Sequence, residues 1–416
     1  MGSFYPFVTF ATNNSPLPIA ILTIDGQEKE TITTTDIQKF TSIHTKRTQQ
    51  IGYQSEIEKP VSCFEFTSPP RPCLITAYTR DAYATKITSQ VSIDGVAIKT
   101  FVEDIARKIN TDPVNAKLSF SPETQTFEEI EPHADGITID VEKNVAQITE
   151  KIANRNNPVP LKIALIYDTK PATVTHARAN ALGIVELIGE GRSNFKGSTQ
   201  SRIHNIQTAA KRFDGLVIAP NEEFSFTTIL GPVDGEHGYK EELVIRDNET
   251  KPEFGGGICQ VSTTVFRGAI FTGMKITQRH NHSYPVHYYT PTGFDATVYV
   301  PKPDLRFINN TPGYVLLTVK TEGTELVFDY YGKKDGRTVK MEGPFVTDRQ
   351  PDGAMKTYFT QKVTDKDGNI IVDDVFKSNY KSPNDYPHPG DVAKLDSKPD
   401  NWSKKQWDDY KKANGL

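Results

Sequence analysis

Cysteine is scarce in this chain: three residues in 416, too few for a disulfide-built scaffold. Long apolar runs are missing, so no stretch offers the roughly 20 residues that a bilayer-crossing helix needs. An excess of one charge is missing as well. Lys and Arg total 48 against 52 Asp and Glu, a net charge of −4, and no concentrated basic surface is available for phosphate backbones. Nucleic acid is therefore not an expected partner. The opening Met1-Gly2-Ser3 has neither the basic nor the apolar segment of a signal peptide. A native signal or membrane anchor is expected only in a segment outside this sequence.

What is present begins with length, which suits two to four domains, each with its own core. Cys63 and Cys73 flank Thr67-Ser68-Pro69-Pro70-Arg71-Pro72, a proline turn between two strand-like segments. That turn can bring the two thiols within disulfide distance; the alternative is two unrelated cysteines. A disulfide there leaves Cys259 as the odd thiol, which suits an extracytoplasmic protein with one reactive cysteine.

The N-terminal part holds a loose repeat. Ile98, Val102, Ile105 and Ile109 fall at steps of four, three and four, as do Val141, Val145, Ile148 and Ile152. Each set predicts a helix with one apolar face. Asp112-Pro113 and Asn157-Pro158 turns and short alternating strands follow, and a weaker copy starts at Asp25-Gly26. No cluster of histidines, cysteines or carboxylates with metal spacing occurs here. Boundaries are expected at residues 1–90 for a first α+β module, 91–185 for a second, 186–345 for a catalytic domain, 346–381 for a β appendage and 382–416 for a polar tail. Gly189 to Ser193 reads as a loop, and Ile203, Ile206, Ala210 and Phe213 as one face of a helix that Asp214-Gly215 ends.

The chain is organised around Gly255-Gly256-Gly257-Ile258-Cys259-Gln260-Val261-Ser262-Thr263-Thr264. The apolar residues after Cys259 continue at helical spacing. Ser262, Thr263 and Thr264 suit a first turn, where side-chain oxygens satisfy free N–H groups. Cys259 then stands at a helix N-terminus, where the dipole favours a thiolate. The glycines allow close backbone approach, and nearby N–H groups can hold an oxyanion. Downstream lie His280, His282 and His287, and then Asp295 on an expected strand. Cysteine, histidine and aspartate together suit a nucleophile, its base and the group that orients the base. Three alternatives stay open: a buried structural cysteine, an ordinary glycine turn, and a zinc site made from Cys259 and two histidines.

The stretch from Arg202 to about Asn310 resembles the VanW domain of bacterial cell-envelope proteins. The resemblance rests on Arg202-x-x-Asn205-Ile206, Phe224-Ser225-Phe226, Gly231, Gly238-Tyr239, Gly255 through Thr263, Arg279-x-x-His282-Ser283 and Asp295-Ala296-Thr297. It implies an enzyme of peptidoglycan metabolism, similar to family members that look like L,D-transpeptidases, with Cys259 as nucleophile, His282 as base and Asp295 as orienter. Gly256, Gly257, Gln260, Arg202, Arg279 and Tyr239 are then expected on the substrate and oxyanion side, Arg202 binding either a substrate carboxylate or Asp295. The preceding region resembles modules that bind peptidoglycan. The expected fold class is α+β: repeat modules, then a VanW-like domain whose cysteine helix packs on an antiparallel sheet carrying His282 and Asp295, then a small C-terminal hairpin and tail. Expected partners are stem peptides and glycan strands in an extracytoplasmic envelope, with no cofactor and no metal. The rival readings are a non-catalytic envelope-binding protein and a cysteine peptidase or carboxypeptidase acting on the wall.

Overall fold

A computed structural model describes residues 18–50, 73–78, 84–154, 160–246 and 249–383, with 397–398, 402–405, 407–408 and 411 of the tail. Cys63 and the Asn157-Pro158 turn lie outside the described residues; the backbone of Cys73 opens the strand Cys73–Tyr78. The fold is mixed α+β, and the chain divides into two units: residues 1–114 with 135–171, and 115–134 with 172–416. No helix among the described residues is long and apolar enough to cross a membrane.

In the first unit, Pro18–Ile24 and Gln27–Thr33 form a hairpin. Its turn is Asp25-Gly26, with both residues at positive φ, as a two-residue hairpin turn requires. Leu161–Ala164 adds a parallel strand to the first. The two periodic segments fold into helices Gly95–Ile109 and Val141–Ala153. Each starts on an aspartate whose side chain takes backbone N–H groups: Asp94 from Val96 and Ala97, Asp140 from Lys143. Ile98, Val102, Ile105 and Ile148 then bury against Leu22, Ile32 and Ile163, which is why the sequence shows that spacing.

The second unit is built around one helix, Ile258–Thr272, which lies on a four-stranded antiparallel sheet. The strand order is Glu186–Asn194, Glu325–Gly332, Val315–Glu322 and Leu216–Ile218. Phe328, Tyr330 and Leu317 face the helix side of the core. Val217 and Leu316 belong to a separate cluster with the hairpin Lys117–Ser121/Thr126–Glu131 and the 3-10 helix His176–Leu182. Gly189 to Ser193, expected as a loop, is instead part of the first strand. Its glycines answer to the helix rather than to a turn. A Cβ on Gly189 would sit 2.0 Å from Thr272 Oγ1, and one on Gly191 would sit 2.1 Å from the Thr264 carbonyl oxygen.

The C-terminal strands Thr338–Arg349, Met355–Thr364 and Ile370–Tyr380 form an antiparallel sheet. Sequence spacing suggested an appendage, but these strands share the core of the second unit. Phe359 and Phe376 meet Phe266 of the cysteine helix edge-on, at 6.2 and 6.0 Å between ring centres. Gln361 Nε2 caps the far end of that helix through the Ile270 and Met274 carbonyls, at 2.9 and 3.2 Å. In the tail, Trp402 is buried and its ring meets that of Trp407.

Candidate active site

The glycine block makes a tight entry into the cysteine helix. Gly257 precedes its first residue at φ +115°, a conformation open to glycine. A Cβ on Gly257 would also lie 3.0 Å from Arg202 O and from Ile206 Cγ1, so the helix Gln200–Ala210 packs directly over it. Cys259 is the second helical residue and is half-buried. On either side of it, the Ile258 N–H donates to Gly255 O at 3.0 Å and the Gln260 N–H to Gly257 O at 2.9 Å.

Ser262, Thr263 and Thr264 do not cap the helix as expected. All three are buried, and the first two hold a neighbouring segment. Ser262 Oγ donates to Ala296 O at 2.6 Å, and Thr263 Oγ1 accepts the Ala296 N–H at 3.1 Å. Thr264 Oγ1 donates back to Gln260 O. Arg267, one turn on, is buried and donates to the carbonyls of Phe294, Arg192, Tyr289 and Thr290. Burial pushes its guanidinium down to about 10, so it still carries charge at neutral pH. These bonds replace a sheet ladder. His282 and Asp295, expected on strands, lie on irregular segments, and helix side chains bond the backbone of Tyr289, Thr290, Phe294 and Ala296 nearby.

Those segments bring His282 and Asp295 to the cysteine. His282 Nδ1 is 2.5 Å from Asp295 Oδ2, and the His282 backbone N–H donates to the same oxygen at 2.8 Å. The other carboxylate oxygen accepts from Tyr380 Oη at 2.5 Å and from Arg279 Nη2 at 3.0 Å. Asp295 is thus surrounded by donors although its side chain is only 4% exposed. His282 Nε2, the remaining ring nitrogen, is buried and takes no hydrogen bond of ordinary geometry, while the ring stands close enough to interact with the Cys259 thiol. Sγ itself lies 3.6 Å from Thr297 Oγ1 and 3.5 Å from the Val298 carbonyl oxygen, which accepts from the thiol.

The electrostatics favour an ion pair. Burial pushes the Cys259 thiol up, but His282, with smaller contributions from Val298 and Thr297, outweighs it, and the net position is below an ordinary thiol. Burial pushes His282 down, but Asp295 and the cysteine raise it to about 9. Burial also opposes the charge of Asp295, yet His282, Arg279 and Tyr380 hold it well below the usual carboxylate range. The Tyr380 phenol is pushed far up by burial and by that carboxylate, so it remains a neutral donor. The three groups titrate as one system, and the arrangement suits thiolate, imidazolium and carboxylate together.

The other expected site residues are distributed differently. Arg279 is buried against Asp295, its side chain 4% exposed. It donates to Asp295 O at 2.6 Å, Gly293 O at 2.9 Å and Ser378 Oγ at 2.9 Å. Gln260 is buried, with its amide nitrogen on Ser193 Oγ at 2.7 Å and its oxygen accepting from Arg202 Nη2 at 3.1 Å. Gly256 is buried and its carbonyl accepts from Asn205. Tyr239 packs in the core rather than bordering a cleft. Arg202 pairs with neither Asp295 nor another carboxylate among the described residues. It is half-buried, with its guanidinium 3.9 Å from the Tyr288 ring centre. His280 is exposed and the His287 ring lies tilted against Tyr288, while His282 interacts with the thiol. Among the described residues no group of three or more His, Cys, Asp or Glu is placed to hold a metal ion.

Tyr380 and Ser378 were not legible as site residues, since an alternating strand gives a buried tyrosine no mark beyond core packing. Thr297 stands two positions after Asp295 in the motif Asp295-Ala296-Thr297, and that closeness to the expected carboxylate was the available signal.

Residues 201–331 match the family profile described as "VanW like protein". The chain carries a VanW-like domain. Residues 73–160 match a second profile, described as "Putative peptidoglycan binding domain". Among curated proteins, "Uncharacterized protein YoaR" of Bacillus subtilis is 39% identical over 146 residues, covering 35% of this chain and 48% of the relative. "Vancomycin B-type resistance protein VanW" of Enterococcus faecalis is 28% identical over 140 residues, covering 32% of this chain and 50% of the relative. The chain therefore spans about half the length of the curated relatives it matches. No solved structure matches it with significance. The cysteine, His282, Asp295 and Arg202 fall inside the VanW-like match, whereas Tyr380 and Ser378 lie beyond its end at residue 331.

Proposed function

We propose that the VanW-like domain is a cysteine-dependent acyltransferase acting on peptidoglycan stem peptides, with L,D-transpeptidase-type cross-linking as its reaction. The observation that carries this reading is the orientation of His282: Nδ1 is held by Asp295, and the buried Nε2 is left for the thiol and its substrate. In this mechanism the Cys259 thiolate attacks a stem-peptide carbonyl carbon, and the C–N bond to the leaving residue breaks after the His282 imidazolium protonates its nitrogen. The product is a thioester on Cys259 and a released amine. An amine from a second stem then attacks the thioester, loses its proton to His282, forms the new amide and frees the thiolate. Asp295 keeps the imidazole in one tautomer throughout. The Cys259 N–H, a first-turn donor between two that are already engaged, is the candidate for the developing oxyanion. No cofactor enters these steps.

The substrate class is supported by the two profile matches and by the name of the Enterococcus relative. It implies an extracytoplasmic location, where stem peptides are displayed. The match over residues 73–160 also supports wall binding by the first unit, alone or alongside catalysis. Intact-protein mass spectrometry with a disaccharide-tetrapeptide tests the proposal. A mass increment or a cross-linked product is expected from the wild type and not from Cys259→Ala. Identical behaviour of the two proteins would leave a wall-binding protein in its place.

A further inference from the structure

Of the two arginines expected on the substrate side, Arg202 is the one without an ionic partner among the described residues. Its side chain crosses Gly257, the residue that caps the cysteine helix: a Cβ there would lie 3.1 Å from Arg202 Cγ. The guanidinium then reaches Gln260. Gly257 and Gln260 stand on either side of Cys259 in the chain, so the Arg202 side chain packs along the helical turn that carries the nucleophile. On its other side the guanidinium lies on the Tyr288 ring. The next residue, Tyr289, packs its ring 4.6 Å from that of His282. Arg202 is thus tied to the cysteine helix through Gln260 and to the segment that carries His282 through Tyr288.

The charge is also fixed in place. Nη1 donates to Ser198 Oγ at 2.6 Å and Nη2 to Gln260 Oε1 at 3.1 Å. Gln260 cannot swing away, because its amide nitrogen is tied to Ser193 Oγ in the core. The guanidinium keeps further N–H donors beyond these two bonds, and no carboxylate of the described residues takes them. A planar fork with free donors, oriented by buried neighbours and backed by an aromatic face, is suited to a carboxylate ligand.

We infer that Arg202 binds the free C-terminal carboxylate of the donor peptide and so restricts the enzyme to cleavage beside that terminus. This rests on the acyl-transfer reading and narrows it. Donors with a terminal carboxylate next to the scissile bond are substrates, whereas donors extended or amidated at that end are not. The leaving group is then the terminal residue, so the activity is exo-acting.

The test uses the Cys259→Ala protein, which binds without turnover, and calorimetric titration with a disaccharide-tetrapeptide as free acid and as C-terminal amide. A hydrogen-bonded charge pair of this kind is expected to favour the acid by about 10- to 100-fold. Adding Arg202→Gln should remove that preference, and adding Arg202→Lys should retain part of it, which separates lost charge from lost fold. Equal binding of acid and amide to Cys259→Ala, or an acid preference that survives Arg202→Gln, would overturn the inference. The titration needs no chemistry at Cys259. Failure of acyl-enzyme formation therefore counts against the proposed reaction alone, and failure of acid discrimination against Arg202 alone.

Discussion

Replacing His282 by asparagine tests the electrostatic core of the site. In the wild type two main effects oppose each other at Cys259: burial disfavours the thiolate, and the imidazolium is the largest influence that favours it. His282→Asn removes the second and leaves the first. The thiol should therefore move up from its lowered value. An ordinary thiol near pKa 8.5 is about 3% ionised at pH 7, so a fully formed thiolate gains at most ~30-fold in reactive fraction there. Loss of the imidazolium should cost up to that gain. The assay is the rate of Cys259 alkylation by iodoacetamide, followed by mass across pH 4 to 10. Its midpoint is the readout, because limited access to a half-buried sulfur scales every rate without moving the midpoint. In the wild type the ion pair should persist from the lowered thiol midpoint up to about pH 9, where His282 loses its proton. An alkylation midpoint unchanged by His282→Asn would refute the ion pair.

Further outcomes follow from the same contacts. Because His282 is raised to about 9 when folded, its contribution to stability is present below its unfolded value near 6.5 and is lost as pH rises through about 9. The melting temperature of the wild type relative to His282→Asn should therefore fall over that interval, and a constant difference from pH 6 to 10 would contradict the shift. Tyr380→Phe keeps the ring but deletes a donor to a buried carboxylate. It should cost about 1.5–3 kcal/mol by urea unfolding and slow acyl-enzyme formation, and a variant equal to wild type in both would show that Asp295 does not use that bond. Gly191→Ala drives a methyl into the Thr264 carbonyl and the Gly268 backbone, at 2.1 and 2.5 Å. A loss of at least about 1–3 kcal/mol is expected, and calorimetry showing no change would mean that the strand and the cysteine helix are not so closely packed.

Local pattern alone determined much of the chain. The spacing of Ile98, Val102 and Ile105 was enough for a helix, and Asp94 just before it supplied the start. Glu322-Gly323 between two apolar alternations gave the hairpin Val315–Glu322/Glu325–Gly332. The three glycines followed by periodic apolar residues placed Cys259 in a helical first turn. In each case the interactions that decide the conformation span a few residues, so a window of the sequence contains them.

Tertiary structure decided what each polar side chain meets. Arg279 and Arg202 are both arginines of the same motif set, yet one is buried against Asp295 and the other lies on Tyr288. Gly189 and Gly191 looked like turn residues because their constraint, a helix pressed against the strand, comes from some 75 residues away in the chain. Ser262 and Thr263 suited a cap by propensity, but the carbonyl and amide of Ala296 arrived within reach and took their hydrogen bonds. Tyr380 is 85 positions from Asp295. A hydrogen bond between such groups depends on the packing of the C-terminal sheet against the cysteine helix, and no local rule of spacing or propensity encodes that distance.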